Sequence, residues 1–188
     1  MTTLVFLLEE PSARDLIEGL LPRLVGEDVD VAYIVFEGKQ DLEKRMTGRM
    51  RAWLKPDSKF VVLRDQDSGD CHVVKAGLRA RADAAGKPDA LIRVACRTLE
   101  SWVVGDWTSV AHTFEKPALA QQANKAKFRD PDVLHDPVRE LRSFLPEYQK
   151  RDGARRVGPL LDPERSQSHS FKVFCRGVAA LVAEGREA

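Results

Sequence analysis

The sequence predicts an α/β fold: a three-layer α/β/α domain on a mainly parallel four-stranded sheet, with an added α-helical part at the C-terminal end. Three observations carry this. Four short runs, "TLVFLL", "VDVAYIVF", "KFVVL" and "DALIRVAC", are near-continuously apolar or β-branched, as strands covered on both faces are. Segments with apolar residues at helical spacing separate them, giving the order βαβαβαβ, in which crossovers join the strands in parallel. Finally, 188 residues with 43% apolar content are ample for one core and few for two full domains.

The first strand stops at Glu9 and Glu10. In "PSARDLIEGLLPRL", Ser12 with Asp15 three residues on reads as a capping-box variant, and Ala13, Leu16, Ile17, Leu20, Leu21 and Leu24 form the apolar stripe of a helix. "VDVAYIVF" (29–36) is the second strand, and the helix after it carries Leu42, Met46, Met50, Trp53 and Leu54 along one stripe. "KFVVL" leads into the acidic tip "RDQDSGD". "HVVKAGLRARADAAG" reads as a helix closed by Gly86 and Pro88, and "DALIRVAC" (89–96) is the fourth strand. Further on, "DPVRELRSFL" has Asp136 as N-cap and Pro137 at its first position, and "SFKVFCRGVAALVAE" carries Phe171, Phe174, Cys175, Val178, Leu181 and Val182 on one stripe. The expected organisation is an α/β domain over 1–115 and a basic α-helical extension over 116–188, packed on the same core.

Charge is distributed unevenly although the total is only +1. Residues 1–115 hold 16 Lys+Arg against 19 Asp+Glu, whereas residues 116–176 hold 13 against 8. Cys71, Cys96 and Cys175 are odd in number and show no CxxC spacing, which argues against a disulfide framework or a structural zinc site. The apolar run at Leu4–Leu8 is too short for a signal peptide or a membrane span, so a cytoplasmic protein without membrane attachment is expected. There is no GxxxxGK[ST], no GxGxxG after the first strand and no HExxH. His72, His112, His135 and His169 are scattered and read as surface or helix-end residues. Trp53, Trp102 and Trp107 read as core, and the Tyr148 ring as a packing group rather than a nucleophile.

The acidic tip is where chemistry is expected. In open α/β sheets the functional crevice lies outside the carboxyl ends of the strands, at a switch in strand order. Glu9 ends the first strand and Asp65 the third, with Asp67 two residues on. Crowded carboxylates raise one another's pKa, and a hard divalent cation offsets their charge. Oxygen ligands alone suit Mg²⁺ or Mn²⁺, ions that serve phosphate chemistry. The alternative is a turn made by Asp65, Gln66, Asp67 and Ser68, with Asp70 capping the next helix.

Glu at the end of strand one, then Asp-x-Asp at the end of strand three in a βαβαβαβ unit, resembles the TOPRIM domain of topoisomerases, primases and OLD-type nucleases. "VFLLEEPSARDLIEGLLPRL", "FEGKQDLEKR", "VVLRDQDSGDC", "ACRTLESWVVGD", "NKAKFR", "YQKRDGARRVGP" and "RSQSHSF" together are similar to a TOPRIM-like bacterial family known as domain of unknown function 4276. The resemblance implies that Glu9 is the acid/base or metal-ligand glutamate and that Asp65 and Asp67 are metal ligands. Many TOPRIM domains have Gly after that glutamate; here Glu10 and Pro11 follow, so Glu10 competes with Glu9 as a ligand. The resemblance also implies a setting beside a separate ATPase in bacterial defence or repair systems.

Glu100, just past the fourth strand, reads either as a ligand or proton acceptor in a two-metal arrangement or as a helix-terminus carboxylate. Lys125, Lys127 and Arg129, then Lys150, Arg155 and Arg156, then Arg165 and Lys172 read as basic loops that hold nucleic-acid phosphates or as solvated surface. Lys125, Lys127, Lys150 and Arg155 are the candidates for substrate phosphate. The expected activity is Mg²⁺- or Mn²⁺-dependent cleavage of phosphodiester bonds in DNA or RNA. The rival readings are a non-catalytic partner-binding subunit and a receiver-like phosphoacceptor module, the latter requiring a lysine after a fifth strand.

Overall fold

The computed structural model describes residues 2–26 and 29–186. The α/β part runs β1 (Thr3–Leu8), α1 (Pro11–Val25), β2 (Asp30–Val35), α2 (Lys39–Arg51), β3 (Ser58–Asp65), α3 (Cys71–Ala84) and β4 (Leu91–Ala95). All strands are parallel, in the order β2-β1-β3-β4. β1 therefore lies between β2 and β3, and the strand order reverses beside it, as the sequence pattern requires for Glu9 and Asp65 to be neighbours.

Alternation along the strands sorts the core into two faces. Leu4, Phe6, Leu8, Val61 and Leu63 point to the face covered by α1 and the C-terminal helices. Val5, Leu7, Phe60 and Val62 meet Leu42, Met46 and Met50 of α2 and Leu78 and Ala82 of α3 on the other. β1 is buried along its whole length, which explains its unbroken apolar sequence.

After β4 come α4 (Glu100–Val104), α5 (Trp107–Thr113), short 3₁₀ turns between Pro117 and Val133, α6 (Pro137–Phe144), α7 (Lys150–Val157) and α8 (His169–Arg186). They complete the first face. Trp102 of α4, fully buried, has ring centroids 5.3 and 5.0 Å from Phe171 and Phe174 of α8. A buried ring of that size is worth about 3–5 kcal/mol against alanine. The tryptophan thus ties α8 into the core beside β4.

The placement of α7 matters most for the site. α7 packs on α1, where a side chain on Gly158 would meet the Leu16 carbonyl oxygen at 2.5 Å. A side chain on Gly153 would meet the Tyr148 ring at 2.2 Å. Only hydrogen fits at either point: at Gly158 the backbone just after α7 closes on that of α1 at Leu16, and at Gly153 the missing side chain leaves the space that the Tyr148 ring fills. Arg151 reinforces this by pairing with Asp15 at 2.7 Å.

Two local readings are corrected. Ser12 does not cap α1: its hydroxyl donates to Glu10 Oε1 at 2.5 Å, and Asp15 serves Arg151 instead. Trp53 and Leu54 fall after α2 has ended at Arg51, so the helical stripe stops at Met50. Leu54 is 90% exposed, whereas Trp53 packs edge-on to Phe60 and donates Nε1–H to Ser58 Oγ at 2.8 Å. Asp70 and Asp136 cap α3 and α6 through backbone N–H groups, as their positions predict.

Candidate functional site

Glu9 and Glu10 leave β1 at the carboxyl edge of the sheet, and Asp65 is the last residue of β3 beside them. The carboxylate of Glu9 accepts the backbone N–H of Asp65 at 3.0 Å, beyond the last ladder pair, Leu8 with Leu63. Burial raises the pKa of the Glu9 carboxyl, with the negative charges of Asp67 and Glu10 adding to it; the Asp65 N–H and Arg64 oppose the rise. Burial also pushes Asp65 well above the usual carboxylate range, reinforced by the charges of Glu100, Glu9 and Glu10 and opposed by Lys150. Crowding of like charges, inferred above from strand order alone, is present at this edge.

Glu100 enters from the start of α4 and is 2% exposed. Its Oε1 lies 3.7 Å from Lys150 Nζ, while Oε2 is buried without a hydrogen-bond partner among the described residues. The same ammonium stands 3.8 Å from Glu10 Oε1. Burial works against the Lys150 ammonium, yet the charges of Glu100, Glu10 and Asp65 outweigh it and its pKa is raised. One lysine from α7 therefore stands among carboxylates from β1, β3 and α4.

Asp67 occupies the far side of the cluster. Its backbone is left-handed, with φ 57°, a conformation Asp tolerates better than most residues. Its N–H donates to Arg97 O at 2.8 Å, and its carboxylate pairs with Lys39 at 2.8 Å. Below the cluster the nearly buried Arg64 lies between two glutamates, 2.5 Å from Glu43 Oε1 and 3.9 Å from Glu9 Oε2.

The basic residues separate into two groups. Lys150 is brought to the carboxylates, and Arg155 lies one turn further along α7, 2.6 Å from Asp152 and 70% exposed. Arg156 pairs with Asp152 and lies over the Phe114 ring. Lys127 is paired with Glu140 at 2.6 Å, and Lys125 lies over the Phe144 ring. Arg165 is held by the buried Asp106 at 3.1 Å; Arg129 is exposed and Lys172 half-buried. Asp70 is committed to its helix cap, 2.8 Å from the His72 N–H.

Sequence reasoning missed Lys39 and Arg64; it read Ser12 as a cap and Tyr148 as packing, without the bond from Ser12 to Glu10 or the buried Tyr148 hydroxyl, which has no partner among the described residues. Arg64 did leave a signal: a charge inside an otherwise apolar strand must find a partner when buried. Lys39 did too, since it follows the second strand at the same edge as Glu9.

The donors at the edge are carboxylate oxygens without thiolate or imidazole, a set suited to Mg²⁺ or Mn²⁺. The buried, unpartnered Glu100 oxygen fits a group that accepts from or coordinates something further. As arranged, no group of three or more His, Cys, Asp or Glu among the described residues could hold a metal ion. Two ammonium groups stand among the carboxylates instead.

Residues 8–179 match the family described as Domain of unknown function (DUF4276), and the chain belongs to it. No curated protein matches it in sequence. Among solved structures it is similar to the C-terminal region of the Burkholderia pseudomallei OLD protein, with 14% identity over 96% of this chain and 97% of that one and a TM-score of 0.57. At that identity the likeness is one of fold, and the TOPRIM-like architecture is common to both. No helix among the described residues is long and apolar enough to cross a membrane.

Proposed function

We propose that this member of the family is a divalent-metal-dependent nuclease that cleaves phosphodiester bonds in DNA or RNA. The observation that carries the reading is the meeting of Glu9, Glu10, Asp65 and Glu100 at the strand-order reversal, with the Lys150 ammonium beside Glu10 and Glu100. Such a concentration of buried negative charge disfavours the fold unless a cation is part of its working state. Glu9, Asp65 and Asp67 would hold Mg²⁺ or Mn²⁺, with Glu10 or Glu100 as a further ligand. The ion would polarise a phosphoryl oxygen and lower the pKa of the attacking water. Glu100, with one buried oxygen free, would accept a proton, and Lys150 and Arg155 would hold the phosphates on either side of the scissile bond.

The likeness in fold to the C-terminal region of an OLD protein supports a nucleic-acid substrate and a separate ATPase as partner in a cytoplasmic defence or repair system. One observation favours a second reading, a non-catalytic partner-binding subunit: Lys150 and Lys39 already partly neutralise the carboxylates. Incubating the purified protein with single- and double-stranded DNA and RNA, in Mg²⁺, Mn²⁺ or EDTA, separates the two. Cleavage that EDTA abolishes is expected. Metal binding without turnover on any substrate, with the fold intact, would establish the partner-binding reading instead.

A further inference from the structure

Arg64 follows the apolar run of β3, and alternation turns it to the same side as Val62, toward α2 and α3. It is 8% exposed. One end of its guanidinium is committed: Nη1–H donates to Glu43 Oε1 of α2 at 2.5 Å. The other end is not. Nε is buried without a hydrogen-bond partner among the described residues, and it stands 3.9 Å from Glu9 Oε2, beyond hydrogen-bond reach. That oxygen is the one that accepts the Asp65 N–H at 3.0 Å. Glu43 is in turn fixed by Arg81 of α3, whose Nε–H donates to the Glu43 backbone oxygen at 2.9 Å and whose Nη2 lies 3.5 Å from Glu43 Oε2. A chain of contacts therefore runs through Arg81, Glu43 and Arg64 and stops one step short of Glu9.

We propose that Glu43 is a positioning residue that holds the Arg64 guanidinium off Glu9. A buried arginine needs a counter-charge, since an uncompensated ion is costly away from water. With Glu43 gone, Glu9 is the glutamate left beside it, and a shift of about 1 Å would bring Nε–H within hydrogen-bond distance of Oε2. Glu9 would then share that oxygen between Arg64 and Asp65. The consequence for the site rests on the nuclease reading: a carboxylate capped by a guanidinium is a poor ligand for a divalent cation, because the two positive charges compete for the same oxygens. Glu43 thereby keeps Glu9 available without itself touching the ion.

The test begins with the full chain free of metal. In Glu43→Ala the Arg64 Nε–H proton resonance, identified by its loss in Arg64→Met, should move downfield as the bond to Glu9 forms. The Asp65 amide proton should move upfield as its acceptor is shared. Glu43→Gln, which keeps the shape of the side chain, should move both in the same directions by less, and it decides the matter if Glu43→Ala does not fold. Calorimetry with Mn²⁺ follows. Glu43→Ala should weaken binding roughly 10–100-fold, as loss of a ligand-orienting group does, but by no more than about 2-fold in an Arg64→Met background. Unmoved Arg64 and Asp65 resonances overturn the proposal. So does an equal loss of affinity in both backgrounds, which would mean that Glu43 acts by its charge alone. A parent protein that binds no Mn²⁺ would count against the nuclease reading instead, and the resonance shifts would still decide the role of Glu43.

Discussion

The carboxylate of Glu9 accepts the backbone N–H of Asp65 at 3.0 Å, so the two residues expected to work together are also joined to each other across the reversal in strand order. The bond gives Glu9 two separable roles. Its oxygen holds the end of β3 in place, and its charge contributes to the acidic cluster.

Glu9→Gln keeps an oxygen acceptor for the Asp65 N–H and removes the charge. Its thermal midpoint in the absence of metal should stay close to the parent, while Mn²⁺ affinity and cleavage fall by more than the roughly 10–100-fold typical of groups that only orient ligands. Glu9→Ala should lose both properties. Calorimetry and a melting curve on the two variants decide it; equal Mn²⁺ affinity in parent and Glu9→Gln would remove Glu9 from the ligand set.

Lys150 offers the second prediction, because it stands where a cation is expected, between Glu10 and Glu100. Lys150→Met leaves the buried Glu100 without its counter-charge. With the lysine side chain 40% exposed, the cost should be on the order of 1–2 kcal/mol, below the roughly 3–5 kcal/mol of a fully buried pair. Added Mn²⁺ should then stabilise the variant more than the parent. A smaller metal-induced rise in melting temperature for Lys150→Met would show that the lysine supports metal binding rather than competing with it.

The sign of the pH dependence follows from Asp65, whose carboxyl burial raises well above the unfolded value of 3.8. Protonated Asp65 suits the fold better than ionised Asp65, so its contribution is full below pH 3.8 and is lost as pH rises through the higher folded value. Asp65→Asn should flatten the metal-free stability profile over that window, as denaturant titrations at stepped pH would reveal. A variant with the same pH slope as the parent would mean that Asp65 is not the group responsible.

Asp70 serves as the contrast within the same acidic stretch, since its carboxylate is occupied by the N–H groups of His72 and Val73 at the start of α3. Asp70→Ala should lower the melting temperature modestly and leave Mn²⁺ affinity as it was. Weaker Mn²⁺ binding in Asp70→Ala would bring this residue into the site.

Substrate holding can be separated from the chemical step. Asp67→Ala should abolish cleavage while nucleic-acid binding persists or tightens, because a negative charge is removed. Arg155→Ala should weaken binding and reduce the log-log salt slope by about one unit, the value for one phosphate contact. Filter binding across a salt series is sufficient. An unchanged slope would make Arg155 ordinary surface.

The sequence by itself determined the parallel sheet, because four short apolar runs alternating with helical stripes admit few other arrangements. It also determined which acidic residues end which strands, since Glu9, Asp65 and Asp67 are local in position, and it identified Asp70 and Asp136 as helix caps, whose bonds span only two or three residues. The helical stripe through Trp53 and Leu54 misled because periodicity does not mark where a helix stops.

What only the tertiary structure decided is which cation meets which carboxylate. Lys150 lies 140 positions from Glu10 in the chain, and no sequence period links them. They meet because Gly158 lets α7 close on Leu16 of α1, because Gly153 leaves room for the Tyr148 ring, and because Arg151 holds Asp15. Lys125 and Lys127, equally basic in sequence, are turned to Phe144 and Glu140 instead. Charge along a chain reports only what is available to pair; the packing of helices, set by where backbones can approach, selects the pairs that form.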